Sequence, residues 1–276
     1  MVGQRSGRLR SLLIGTAVAF ALTGGAEASA GGVTSVATAH AAPVAPVDHP
    51  DCRSRADCRS RTDCRSRADC GVPVKGGLDI SFTGWSCTTA FVAEHIATRD
   101  RFVLTAGHCV TSSGLYARWS HNGRPIGRAA FEAFHDGSNA DVGAISVHGS
   151  AVANQVYGSS NADIRLVNGS LPDASQTVGS EACRSGGTSG WRCGTIVATD
   201  VDVMIEGKLI RGTWWTDFPS AKGDSGAPVL DSQGLALGIV IATTATRTVY
   251  STVDGISEEL HLRLCVESEC ARASER

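Results

Sequence analysis

Long apolar runs are scarce in this chain of 276 residues. The stretch from Leu12 to Leu22 is too short for a good transmembrane span. Aromatic residues reach only 5% and charged residues 19%, with a formal net charge of −2. That balance argues against nucleic-acid or membrane-surface binding through bulk charge. The charged fraction is also too low, beside 42% hydrophobic residues, for a disordered chain. Helical periodicity is nearly missing, which leaves α-helical bundles and interleaved α/β folds without support.

What is present points to strands and to export. Glycine is abundant, at 32 residues, and the short apolar runs are rich in Val, Ile and Thr. Ten cysteines suit an oxidising compartment. Arg5, Arg8 and Arg10 precede the Leu12 to Leu22 stretch, and Ala28-Ser29-Ala30 follows it, the layout of a secretory signal peptide over residues 1–30. The competing reading is an uncleaved anchor, which the short apolar stretch disfavours.

Residues 31–73 form a low-complexity lead-in. Gly31 to Pro50 is Ala, Val, Thr and Pro without periodicity. Asp51-Cys52-Arg53-Ser54-Arg55-Ala56 then repeats from Asp57, with Thr62 as the only departure, and again from Asp63, and Asp69-Cys70 closes the series. No histidine lies among Cys52, Cys58, Cys64 and Cys70 and no Cys-x-x-Cys pair occurs there, so disulfides are favoured over zinc. A solvated, duplicated spacer is the plain reading.

A composition change at Val74-Lys75-Gly76-Gly77 marks the expected start of a folded domain reaching residue 270. Strand-like segments follow at Thr88 to Glu94, Arg101 to Thr105, Ala117 to Ser120, Ile126 to Phe134, Val142 to Val147, Thr195 to Ile205, Leu209 to Thr216, Ala227 to Leu230, Leu235 to Ala242 and Thr248 to Thr252. Turn sequences such as His121-Asn122-Gly123 and Ile205-Glu206-Gly207-Lys208 separate them. Only the tail reads as helical, from an Asp254 cap through Leu264 with Ile256, Leu260 and Leu264 on one face. The fold class is all-β, a pair of barrels or a sandwich.

Three short stretches carry chemistry. In Lys222-Gly223-Asp224-Ser225-Gly226 a hydroxyl sits between two glycines, so that the Gly223 and Ser225 N–H groups can face a substrate carbonyl while Gly226 turns the chain beneath the serine. Phe102-Val103-Leu104 runs as a strand into Thr105-Ala106-Gly107-His108-Cys109, where His108 is placed to take a proton from a serine. A bridge between Cys109 and Cys87 would fix that loop. Asp141, just before the apolar strand Val142 to Val147, would orient the imidazole, and Asp136 competes for the role.

Leu104-Thr105-Ala106-Gly107-His108-Cys109, Asp141-Val142-Gly143 and Gly223-Asp224-Ser225-Gly226 stand in the chain order of the chymotrypsin-like serine proteases, which this sequence resembles from about Val74 to Leu264. Val74-Lys75-Gly76-Gly77 is similar to mature N-termini of the bacterial streptogrisin and α-lytic branch. The resemblance implies two antiparallel six-stranded β-barrels with a short C-terminal helix and a His108, Asp141, Ser225 triad between the barrels. It also implies an oxyanion hole at Gly223 and Ser225, protein or peptide substrates, no cofactor or metal, and a secreted monomer; no nucleic-acid partner and no stable membrane insertion are expected. Cys183 and Cys193 match that branch's second disulfide loop, and Arg184 matches the arginine that pairs with the acid before the serine, here Asp224.

The departures concern the pocket. Pro219 stands six residues before Ser225 where a trypsin-like acid would be expected, with Asp217 two residues away. Ile241, Ala242 and Thr243 should form the wall along which substrate pairs, with Thr243 where glycine is common, and a side chain there would shorten the pocket. Cys265 and Cys270 pair with each other or reach the repeat. A catalytically idle, protease-like binding domain is the alternative function, against which the intact His108, Asp141 and Ser225 speak.

Overall fold

The computed structural model describes residues 34–35, 73–147, 152–159 and 163–266. The leader, the hexapeptide repeat and Cys270 lie outside the described residues. The first strands are β1 (Val74–Gly76), β2 (Asp79–Phe82), β3 (Trp85–Thr88), β4 (Val92–His95) and β5 (Arg101–Thr105). A seven-residue helix α1 (Gly107–Ser113) leads to β6 (Arg118–His121), β7 (Arg124–Ala133) and β8 (Val142–Ser146). After β9 (Val152–Tyr157), β10 (Ile164–Leu166) and β11 (Gly169–Ser170) come β12 (Glu181–Gly186), β13 (Gly190–Ile205), β14 (Lys208–Thr216), β15 (Pro228–Leu230), β16 (Leu235–Thr243) and β17 (Thr248–Thr252). Helix α2 (Val253–Leu260) and β18 (Leu262–Leu264) follow.

Two mainly antiparallel sheets hold most of these strands, and β9 pairs with β10 and, in parallel, with β1 in a smaller third. One runs β18-β4-β5-β8-β7-β6-β2-β3, so the six strands expected of the first barrel are joined by β3 and by β18 from the far end of the chain. The other runs β13-β12-β15-β16-β17-β14, and β14 pairs back with β13, closing a six-stranded ring. Closure leaves the second sheet without free edges along that ring. Alternating burial along β6, with Trp119 and His121 inside, is the period-two signature of a strand with one face in a core.

Each barrel fills with its own side chains, and a third cluster joins them. Leu78, Ile80, Val103, Trp119, Ile126 and Ile145 pack in the first, and Ile196, Trp214, Val229, Val240 and Tyr250 in the second. Between them Phe91, Leu104 and Val142 meet Trp215, Ile239 and Ile241, all buried. Burying side chains of this size stabilises by roughly 1.5–3 kcal/mol each, which fixes the barrels against one another and so fixes any site in their crevice.

Local expectations are met at the turns. Asn122 and Gly123, and again Glu206 and Gly207, have positive φ at both central positions, the pair of left-handed residues that two-residue hairpins require. The tail differs from expectation. Thr252, and not Asp254, caps α2 by accepting the Gly255 N–H at 3.2 Å. The helix stops at Leu260, where His261 turns left-handed, and Leu264 belongs to β18, paired with Ala93. Helix α1 was not expected; its residues are short and polar at one end, and no side chain caps its start.

Candidate active site

Strand β5 delivers the chain into α1, and the second residue of that helix is His108. The His108 Nδ1 lies 2.6 Å from Asp141 Oδ2, and Asp141 Oδ1 accepts the His108 backbone N–H at 2.8 Å. Both side chains are buried, at 3% and 0% exposure, so the contact is made away from water, where it is strongest. Gly107 permits the approach, because a Cβ there would fall 2.9 Å from Asp141 Oδ1. The Phe134 ring meets the imidazole edge-on, with centroids 5.8 Å apart. The aspartate is also tied to the second barrel, since Ser251 Oγ accepts its N–H at 2.9 Å.

Asp136, the competing acid, lies elsewhere. Its Oδ1 accepts the Leu209 N–H at 2.9 Å, while Gly137 donates to Leu209 O and Arg211 donates to Ser138 O. It therefore fastens the β13–β14 hairpin to the first barrel.

Ser225 is carried to the same crevice by its backbone. Thr88 N–H donates to Ser225 O at 2.7 Å, and the neighbouring Cys87 is bridged to Cys109, next to His108. Gly226 has φ +86, and any Cβ on it would collide with Thr105 Oγ1 and Thr88 O. A side chain there would push the serine away from the histidine loop. Gly223 has φ +93, and its carbonyl accepts Thr88 Oγ1 at 2.6 Å.

Asp224 turns inward beneath this loop. Its carboxylate accepts the Thr188 and Ser189 N–H groups, each at 3.1 Å, and the Ala221 N–H at 2.9 Å. It also takes the Ser189 hydroxyl and lies 3.3 Å from Arg184 Nη1, with both side chains buried. Burial draws the Arg184 guanidinium below its ordinary value and the Asp224 charge opposes that. Arg184 itself is held by Gly190 O at 2.8 Å and Pro219 O at 3.1 Å. Cys183 and Cys193 are bridged across the β12–β13 pair that presents it. Cys265 is also disulfide-bonded.

The pocket residues divide into two groups. Asp217 is engaged on the β13 side: its carboxylate accepts Thr195 N–H at 2.7 Å and Thr195 Oγ1 at 2.9 Å, bonds that hold it below the usual carboxylate range. Ile241 and Ala242 are buried, and β15 runs beside β16 no farther than Ile239. Thr243 Oγ1 lies 3.1 Å from both Ser220 N and Ser220 O, joining the wall to the segment that contains Pro219. The side chain thus stands across the space between the two.

Residues that the sequence reading passed over complete the arrangement. Thr88 holds both Gly223 and Ser225, Ser189 and Thr188 hold Asp224, and Gly107 lets His108 reach Asp141.

Two antiparallel β-barrels, with a buried His–Asp pair from one and a Gly-Asp-Ser-Gly loop from the other, define the chymotrypsin-like serine protease class. The trypsin family model matches residues 73–257, and the chain belongs to that family. It is similar to serine protease 1 of Rarobacter faecitabidus, 28% identical over 174 residues, covering 60% of this chain and 32% of that protein. Streptogrisin-C of Streptomyces griseus is 38% identical over 64 residues, 22% of this chain and 14% of that one. The chain therefore aligns with a third or less of those curated relatives. Among solved structures, Thermobifida fusca protease A superposes with a TM-score of 0.60 at 26% identity, over 70% of this chain and 99% of that one. Cellulomonas bogoriensis chymotrypsin gives 0.59 at 27%, over 70% and 99%. Among the described residues no helix is long and apolar enough to cross a membrane.

Proposed function

We propose that the chain is a secreted serine endopeptidase in which Ser225, His108 and Asp141 form the triad. The observation that carries this reading is the doubly bonded Asp141, which accepts both Nδ1 and the backbone N–H of His108. That grip selects the tautomer in which Nε2 is the base and stabilises the imidazolium once it forms.

In the proposed reaction Ser225 Oγ attacks the scissile carbonyl as its proton passes to His108 Nε2. The oxyanion is received by the Gly223 and Ser225 N–H groups, whose loop Asp224 and Arg184 brace. Collapse breaks the peptide bond, the departing amine takes the proton from His108, and water deacylates the enzyme by the same steps reversed. The chain's own residues supply every proton transfer.

For the residue before the scissile bond, small or medium apolar side chains fit best. Thr243 occupies space between the walls, and Asp217 is bonded to Thr195. A Lys or Arg buried without a carboxylate partner is disfavoured. The disulfides at Cys87–Cys109 and Cys183–Cys193 support an extracellular setting, with residues 1–30 as the signal peptide, 31–73 as lead-in and the protease domain from 74 to 270. Labelling by a fluorophosphonate, retained by the wild type and lost in Ser225→Ala, tests the nucleophile.

A further inference from the structure

A cavity of about 580 Å³ opens on the outer face of the first barrel, and none of His108, Asp141, Ser225, Asp217 and Thr243 lines it. Strand register builds it. Phe102, Ser146, Arg128 and Arg118 stand opposite one another in a row across β5, β8, β7 and β6, while Val103, Ile145, Ala129 and Trp119 beside them turn into the barrel core. The β7–β8 register shifts between Ala129 and Phe131, and this bulge brings Phe131, three residues past Arg128, to the same face. The Phe131 and Phe102 rings meet edge-on with centroids 4.8 Å apart. Aromatic rings thus stand at one end and guanidiniums at the other, with the small Ser146 between them.

From this arrangement we propose that the cavity binds a small aromatic carboxylate, its ring against Phe102 and Phe131 and its charge shared by Arg118 and Arg128. The two arginines are exposed and directly opposite each other, a like-charge pairing that costs stability and that an anion between them relieves. Among the described residues Arg118 has no side-chain partner, and Arg128 uses only Nη1, which donates to Tyr116 O at 3.2 Å. Asp100 is the one carboxylate in the described lining, and its Oδ2 already accepts the Thr98 hydroxyl at 2.7 Å. The site therefore keeps an excess of positive charge, in donors shaped for a carboxylate. Phe131 and Arg128 are separated along β7 by roughly 10 Å, which suits a two-ring aromatic acid, and the cavity has the size of small-molecule sites. Tyr116, 73% exposed, adds aromatic surface beside the arginines. This site lies apart from the triad and does not depend on the endopeptidase reading.

The test is calorimetric titration of the full-length protein with 2-naphthoate, and with 2-naphthylmethanol and 2-naphthylmethylammonium as its neutral and cationic counterparts. The acid should bind once per chain with a Kd of about 1 mM or tighter, and each counterpart at least about fivefold more weakly. Raised salt should narrow that difference. Arg118→Gln combined with Arg128→Gln changes only exposed side chains, so the fold is retained, and it should bring the acid to the affinity of the alcohol. Arg211→Gln, on the β13–β14 hairpin and outside the cavity, should leave acid binding unaltered. No binding of the acid, equal binding of acid and alcohol by the wild type, or acid binding unchanged in the double variant overturns the inference. The titration reads binding alone, so its outcome is separate from whether Ser225 is a nucleophile.

Discussion

Asp141 grips His108 at two points, with Oδ2 2.6 Å from Nδ1 and Oδ1 accepting the backbone N–H at 2.8 Å. Asn at 141 can satisfy one of these but presents the wrong group to Nδ1 and favours the wrong tautomer. Asp141→Asn should therefore lower kcat by about three to four orders of magnitude. Asp136→Asn should cost only stability, about 1 kcal/mol for one weakened hydrogen bond. Steady-state kinetics on the two variants decide between the acids: a large kcat loss in Asp136→Asn would reassign the role.

Turnover should rise with pH across about 5 to 8, because only a neutral imidazole accepts the Ser225 proton. A flat kcat/KM profile over that interval contradicts a histidine base.

Arg184→Met leaves Asp224 buried with its N–H donors but without its counter-charge. Losing one partner of a buried pair costs about 3–5 kcal/mol. Thermal unfolding should report that loss, and kcat should fall with it because the Gly223 to Ser225 backbone is no longer braced. Full activity and unchanged Tm would mean the pair is incidental.

Thr243→Gly removes the side chain that joins the wall to Ser220. Matched substrates with Ala, Leu, Phe, Lys and Arg before the scissile bond should shift from Ala or Leu toward Phe. Asp217→Ser should leave the ranking unaltered, since its carboxylate is spent on Thr195. Dominant cleavage after Lys and Arg that vanishes in Asp217→Ser would show the acid reaching the pocket.

Asp173 gives a stability prediction with a definite sign. Burial pushes its carboxyl from 3.8 up to about 6, against a hydrogen bond from Thr252 and with Asp254 and Asp200 adding repulsion. The folded state then binds this proton more tightly than the unfolded state, so its contribution to stability is present below about pH 4 and is lost as pH rises through 6. Asp173→Asn should raise stability at pH 7.5 by about 1 kcal/mol, discounted for partial exposure, and change little at pH 4. Equal effects at both pH values would locate the cause outside its charge.

Much of the framework was legible because short runs rich in Val, Ile and Thr mark strands, and because Asn122-Gly123 and Glu206-Gly207 are hairpin turns by composition. Arg101–Thr105 and Thr248–Thr252 match expectation residue for residue. Glu181–Gly186 was missed, since its buried residues include Arg184 and Ser185, polar groups held by Pro219, Asp224 and Tyr157, far along the chain. Helix α1 was missed because tertiary contacts, and not a cap or an apolar stripe, support it. Leu264 continues the spacing of Ile256 and Leu260 yet belongs to a strand, because pairing with β4 outweighs a third helical turn. At the site the motifs singled out His108, Asp141 and Ser225, while Thr88 and Ser189 act through contacts that no local pattern encodes.

The central claim is that Ser225 is an activated nucleophile. Its most direct measurement is active-site titration of the purified full-length protein with a fluorophosphonate, read by intact mass and by peptide mapping. The account predicts one adduct per chain, located on Ser225, with labelling abolished in Ser225→Ala and strongly slowed in His108→Ala. An unlabelled wild type, or an adduct on another residue that persists in Ser225→Ala, would contradict it.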